Sequence, residues 1–159
     1  MPAIPLDTIN RRLLMLLQQD NRRSLRDLAS ELGVSAPTCL RRMRRLESLG
    51  IIRAHSARLD VARLGFTVTA FVEVTLVNAS GTEMNAFERR IQSCADVKDC
   101  AELTGEIDYM LTVVVQDLGE FTDFTRKHLV ENPGVKSFRS FMILRQTKNE
   151  YVLPLESNN

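Results

Sequence analysis

The apolar positions of the first fifty residues repeat with a helical period. Leu6, Ile9, Leu13, Leu14, Leu16 and Leu17 follow this spacing in a first helix, which Asp7 is placed to cap and which ends near Asp20. Ser24 stands three residues before Asp27, a capping box with Asp in place of Glu, ahead of Leu25, Leu28, Ala29 and Leu32. Gly33 supplies a left-handed stop for this short second helix. Ser35 then caps a third helix that tolerates Pro37 in its first turn, runs to about Ser48 and is ended by Gly50. A short helix, a glycine-containing turn and a second helix make the helix-turn-helix spacing. Projected at about 100° per residue, the third helix puts Cys39, Met43 and Leu46 on one side, facing Leu28 and Leu32. The opposite side holds Pro37, Thr38, Arg41, Arg44 and Arg45, with Arg42 on the flank. Ile51 to Leu59, with Arg53, His55 and Arg58 interspersed, is β-compatible and reads as a wing or a linking strand.

From Leu64 the helical period gives way to alternation, so a domain junction is expected near residues 60–66, dividing the chain into 1–60 and 61–159. FTVTAFVEVTLV (66–77) reads as a strand, and Met84, Phe87, Ile91 and Cys94 follow at helical spacing. VKDCAELT (97–104) and DYMLTVVVQ (108–116) are two strands joined by a turn centred on Gly105. Leu118, Phe121, Phe124 and Leu129 define a helix stopping before Pro133 and Gly134, and FRSFMILRQT (138–147) is the last strand. The order β-α-β-β-α-β is the ferredoxin-like split βαβ unit, so the fold class is α+β, a helix-turn-helix followed by one sheet with two helices on one face. The other sheet face also carries apolar residues, and a dimer through this domain is expected to cover it.

Charge changes the picture more than composition does. The chain of 159 residues is 44% hydrophobic and 26% charged, ordinary for a folded protein, with a net charge of +1. Residues 1–60 nevertheless carry 11 Arg and no Lys against 6 Asp and Glu, whereas 61–159 carry 10 Lys and Arg against 14 acids. A basic module joined to a mildly acidic one points to a polyanion for the first alone. That module contains no Phe, Tyr or Trp, which favours duplex DNA over single strands, whose bases are usually stacked on aromatic rings. Ser35 and Pro37 open the helix offered to the major groove, where Thr38 and Arg41 are placed for base edges and Arg42, Arg44 and Arg45 mainly for the phosphate backbone. Cys39, Cys94 and Cys100 form no CxxC pair and, with only His55 and His128 beside them, read as packing residues without a metal or disulfide. His55 reads as a solvated residue. No apolar run reaches the roughly 18 residues of a spanning helix, and the start lacks a secretory signal, so a cytoplasmic protein is expected.

The segments SAPTCLRRMRRLESLGII (35–52) and VKDCAELTGEIDYML (97–111), supported by NPGV (132–135), resemble the leucine-responsive regulatory protein and asparagine-synthase regulator family, Lrp/AsnC. The resemblance runs from about Leu6 to Leu155. It implies a transcription factor whose C-terminal domain, called RAM and similar to ACT domains, dimerises and assembles further into tetramers or octamers. It also implies a small-molecule effector, commonly an amino acid, bound where dimers meet. Carried onto this sequence, the pocket comprises Leu103, Thr104, Gly105, Glu106 and Asp108, with Leu118, Phe141, Met142 and Ile143 as wall or assembly positions. The chemistry of that turn agrees, since a free amino acid needs amide donors beside an acidic acceptor. Glu106 departs from the Asp often found there in relatives.

An enzyme finds no support, for there is no phosphate loop, no GxSxG and no metal cluster, and no cofactor is implied. An ACT-like module that binds an amino acid without DNA would fit residues 64–150 but leaves the arginine-bearing helix unexplained. A winged helix used for protein contacts is a third reading.

Overall fold

In a computed structural model, which describes residues 4–150 and 152–155, the chain divides into two compact units. One comprises the residues up to Arg58 together with the segment from Lys148, and the other is Leu59–Thr147.

The first unit contains α1 (Thr8–Gln19), α2 (Leu25–Leu32) and α3 (Ala36–Ser48). Each helix begins where a side-chain oxygen takes up a backbone N–H that the helix itself leaves unpaired. Asp7 accepts from the amide of Asn10, Ser24 from that of Asp27 and Ser35 from that of Thr38. Gly33, at φ 64°, provides the left-handed residue that turns α2 into α3. Leu13, Leu14, Leu16, Leu28, Ala29, Leu32, Cys39 and Leu46 are buried together, with Met43 half-buried against them. The apolar side of α3 is therefore inward, as the periodicity requires.

Residues 51–60 do not form the expected wing or linking strand. A strand needs a neighbouring strand to take its ladder bonds, and among the described residues the one sheet does not include this stretch. Ile51 and Ile52 instead fold back on the helical core, both amides donating to the Leu46 carbonyl at 3.0 and 3.2 Å. The C-terminal segment, which the division at residue 60 assigns to the sheet, groups with the helices. Gln18 of α1 accepts from the amide of Leu153 at 2.7 Å and donates to its carbonyl at 3.2 Å, and Leu155 packs on the helical core.

The second unit runs β1 (Val68–Leu76), α4 (Gly81–Gln92), β2 (Val97–Glu102), β3 (Tyr109–Val115), α5 (Leu118–Thr125), a wider π turn over Arg126–Val130, and β4 (Val135–Met142). The strands lie in the order β2-β3-β1-β4, all neighbours antiparallel, which is the ferredoxin-like arrangement. Ala70, Val72, Val74 and Leu76 of β1 and Leu111, Val113 and Val115 of β3 point into one core with Phe87 and Ile91 of α4 and Phe121 and Phe124 of α5. Period-two alternation sends the intervening residues to the other sheet face. There Phe71 and Phe141 are register partners on β1 and β4 and remain 41% and 48% exposed. The last strand begins three residues earlier and ends five earlier than the sequence pattern indicates. Val135 N–H donates to the Asn132 carbonyl in a tight turn that starts the strand at once, and the ladder with β1 runs out after Ala70 and Met142, with one further bond from the Ile143 amide to the Thr69 carbonyl at 2.8 Å.

Candidate DNA interface and effector site

Helix α3 presents its arginines because its other side is fixed. Cys39 and Leu46 are at most 1% exposed, which turns Arg41, Arg44 and Arg45 outward. Neither Arg41 nor Arg44 is drawn into an ion pair among the described residues. At the N-terminus, the Ser35 hydroxyl donates to Thr38 Oγ1 at 2.9 Å while accepting the Thr38 amide. Thr38 thus keeps its own hydroxyl proton for an outside acceptor, and Pro37 beside it is exposed. An uncompensated guanidinium row with small polar groups at the helix start can meet phosphates and base edges of a duplex.

Arg42 is placed differently from its neighbours. Its Nη1 donates to Asp7 Oδ2 at 2.6 Å and to Asn10 Oδ1 at 2.9 Å, so α3 is tied to the first turn of α1 rather than offered outward. The Arg42 bond, followed by the Asn10 amide, holds the Asp7 carboxyl below its ordinary 3.8. Asp7 and Asn10 were not among the residues singled out from sequence, where Asp7 reads only as a helix cap. Nothing in a helical period reveals a bond across 35 residues of chain.

The residues expected to form the effector pocket fall into separate groups within one chain. Leu103, Thr104, Gly105 and Glu106 lie exposed on the turn between β2 and β3. Asp108 is already engaged, its Oδ2 accepting the Leu76 amide at 2.7 Å and its own amide donating to the Val74 carbonyl at 3.0 Å. Leu118, Met142 and Ile143 line a groove of about 700 Å³ at the other end of the sheet, together with Thr67, Thr69 and Asp117. Seven residues of β3 separate the two ends, a span of roughly 20 Å. Phe141 lies on the open sheet face next to Phe71. The partners Thr67, Thr69 and Phe71 went unnoticed, although the alternation of FTVTAF already put the last two on one face.

Of the cysteines, Cys39 and Cys94 are buried packing residues, but Cys100 is exposed, because β2 is an edge strand. His55 stays on the surface, its Nε2 3.2 Å from Glu47 Oε1. Among the described residues no three His, Cys, Asp or Glu side chains converge as metal ligands, and no helix is long and apolar enough to cross a membrane.

Residues 6–47 match the family model of the AsnC-type helix-turn-helix domain, and residues 69–153 match that of the Lrp/AsnC ligand binding domain. The chain belongs to the Lrp/AsnC family of transcriptional regulators. This Lrp/AsnC chain is 36% identical over 146 residues to the leucine-responsive regulatory protein of Rhizobium meliloti, covering 92% of this chain and 94% of that protein. It is 39% identical over 150 residues to the Bkd operon transcriptional regulator of Pseudomonas aeruginosa, covering 94% and 98%. Its fold superposes with a TM-score of 0.87, at 29% identity, on a Neisseria meningitidis transcriptional regulator solved as a complex with L-Met, covering 95% of this chain and 97% of that one. The relatives are regulators rather than enzymes, and the helix-turn-helix match favours a DNA-binding Lrp/AsnC protein over an ACT-like module acting without DNA. The family and the α+β fold expected from sequence are both those found.

Proposed function

We propose that this regulator acts in the cytoplasm as a homo-oligomer on double-stranded DNA, and that an amino acid bound between subunits sets its affinity for DNA. Arg41, Arg44 and Arg45, with Ser35, Pro37 and Thr38 at the helix start, meet the duplex. The open sheet face around Phe71 and Phe141 joins two copies into a dimer, since an apolar face of this kind is costly to leave in water. The effector sits where the Leu103 to Asp108 turn of one subunit meets the groove of Leu118, Met142 and Ile143 of another. The observation that carries this is the separation of the two groups along the sheet, which prevents one chain from closing the site by itself. The L-Met bound by the similar Neisseria meningitidis regulator supports an amino acid as the effector class.

A thermal-shift screen against the twenty amino acids tests the reading, because selective binding raises the melting temperature. One amino acid should shift the wild-type protein, and Glu106→Ala and Leu118→Asp should each lose that shift. Mixed oligomers of the two variants should regain part of it, since some sites then combine an intact turn with an intact groove. No shift with any amino acid would contradict the effector, and no recovery on mixing would contradict the shared site.

A further inference from the structure

The guanidinium of Arg42 is committed before any DNA arrives. Both protons of Nη1 are used, on Asp7 Oδ2 at 2.6 Å and Asn10 Oδ1 at 2.9 Å. Nε is buried and has no partner among the described residues, and the side chain as a whole is only 24% exposed. Such a group is a poor phosphate ligand, since Nη2 is the one remaining set of donors. Asp7, in contrast, is 52% exposed beside a hollow of about 240 Å³ that Arg41 and Arg45 also line. A carboxylate at that place works against a polyanion, so electrostatics alone gives it no reason to stand there.

Its bonds supply the reason. One Asp7 oxygen caps α1 through the Asn10 amide at 2.7 Å while the other receives Arg42, so a single side chain fixes the start of α1 and a point midway along α3. Ala36, Cys39, Met43 and Leu46 also hold α3 against the helical core, and their burial sets which side of the helix faces inward, but apolar packing is non-directional and leaves the fine rotation free. A charge-assisted bond fixes that remainder, because its geometry is directional.

We infer that Arg42 is a positioning residue for DNA binding: with Asp7 and Asn10 it fixes the fine rotation of α3, so that Arg41, Arg44 and Arg45, already turned outward by the buried side, face the duplex in one arrangement. This rests on the DNA-binding reading of α3 and assigns Arg42 the opposite of a backbone contact. The two roles predict opposite responses to Asp7→Asn. Asparagine caps a helix as well as aspartate does, so α1 keeps its start. If Arg42 served phosphates, removing the Asp7 charge would free it and tighten binding; if it positions α3, binding weakens.

The test uses the full chain and a duplex that the wild-type protein enriches from a random pool, titrated by fluorescence anisotropy over a salt series, with melting curves to establish folding. Asp7→Asn and Arg42→Gln should each weaken binding roughly threefold to fivefold, the scale of a partly exposed ion pair. The double variant should be no weaker than the worse single one, and the slope of affinity against salt should stay that of the wild type. Arg41→Ala, the direct-contact reference, should lower that slope by about one. Binding of Asp7→Asn as tight as or tighter than wild type would overturn the inference, as would a slope lowered by about one in Arg42→Gln alone. A wild-type protein that enriches no duplex would overturn the DNA-binding reading itself, and the inference with it.

Discussion

Asp108, a residue of the proposed effector pocket, also serves the backbone. Its carboxylate accepts the Leu76 amide at 2.7 Å, closing the end of β1 where the register to β4 shifts. Asp108→Ala should therefore cost about 1–2 kcal/mol by thermal denaturation, with Asp108→Asn largely sparing stability because its amide oxygen still accepts. An equal melting temperature for Asp108→Ala and wild type would show the bond to be dispensable. His128 carries a pH dependence. Burial, then the charges of Lys127 and Arg90, push it below its usual 6.5, while Asp96 pulls the other way. The unfolded chain thus takes up a proton that the folded chain resists, so this contribution to stability is complete above about 6.5 and is lost as pH falls below it. His128→Gln should flatten the fall in melting temperature between about pH 7 and about pH 5, and an unchanged profile would remove His128 as the cause.

At the level of elements, most of the chain was legible because its signals are local. The caps Asp7, Ser24 and Ser35 and the stop at Gly33 each act within one helical turn, and all four stand where the pattern put them. Gly33→Ala places a side chain at φ 64° and should cost about 1 kcal/mol in a melting experiment, which a value near zero would contradict. What the sequence did not reveal depends on distant partners. Residues 51–60 are β-compatible but join no sheet among the described residues, and the ladder of β4 with β1 closes at Met142 and Ala70. The π turn had a trace in the sequence, for the step of five residues from Phe124 to Leu129 overshoots an α-helical turn, and the wider turn returns Leu129 to the core. In the proposed dimer the open sheet face is likewise completed by a distant partner, a second copy. Phe141→Glu puts a charge beside Phe71 and should give a monomer in sedimentation experiments; a dimer of unchanged stability would place the interface elsewhere.

For the whole molecule, the division of charge along the chain corresponds to a division of labour between two compact units. The arginine excess is legible in composition, but the sorting of those arginines is not. Arg41, Arg44 and Arg45 stay outward while Arg42 turns to Asp7, and only the packing of α1 against α3 separates them. The residues expected to form the effector pocket illustrate the same limit, since the 103–106 turn and the groove of Leu118, Met142 and Ile143 lie at opposite ends of one sheet. The central claim is that the outward arginines of α3 are the surface that holds duplex DNA. Its most direct test compares the wild-type protein with an Arg41→Ala, Arg44→Ala, Arg45→Ala triple variant on an enriched duplex, reading anisotropy from low to high salt. The wild type should lose affinity steeply with salt, and the triple variant should bind far more weakly with a slope smaller by up to about three per DNA-bound subunit. A folded triple variant that binds as tightly as wild type, with the same salt slope, would contradict the account.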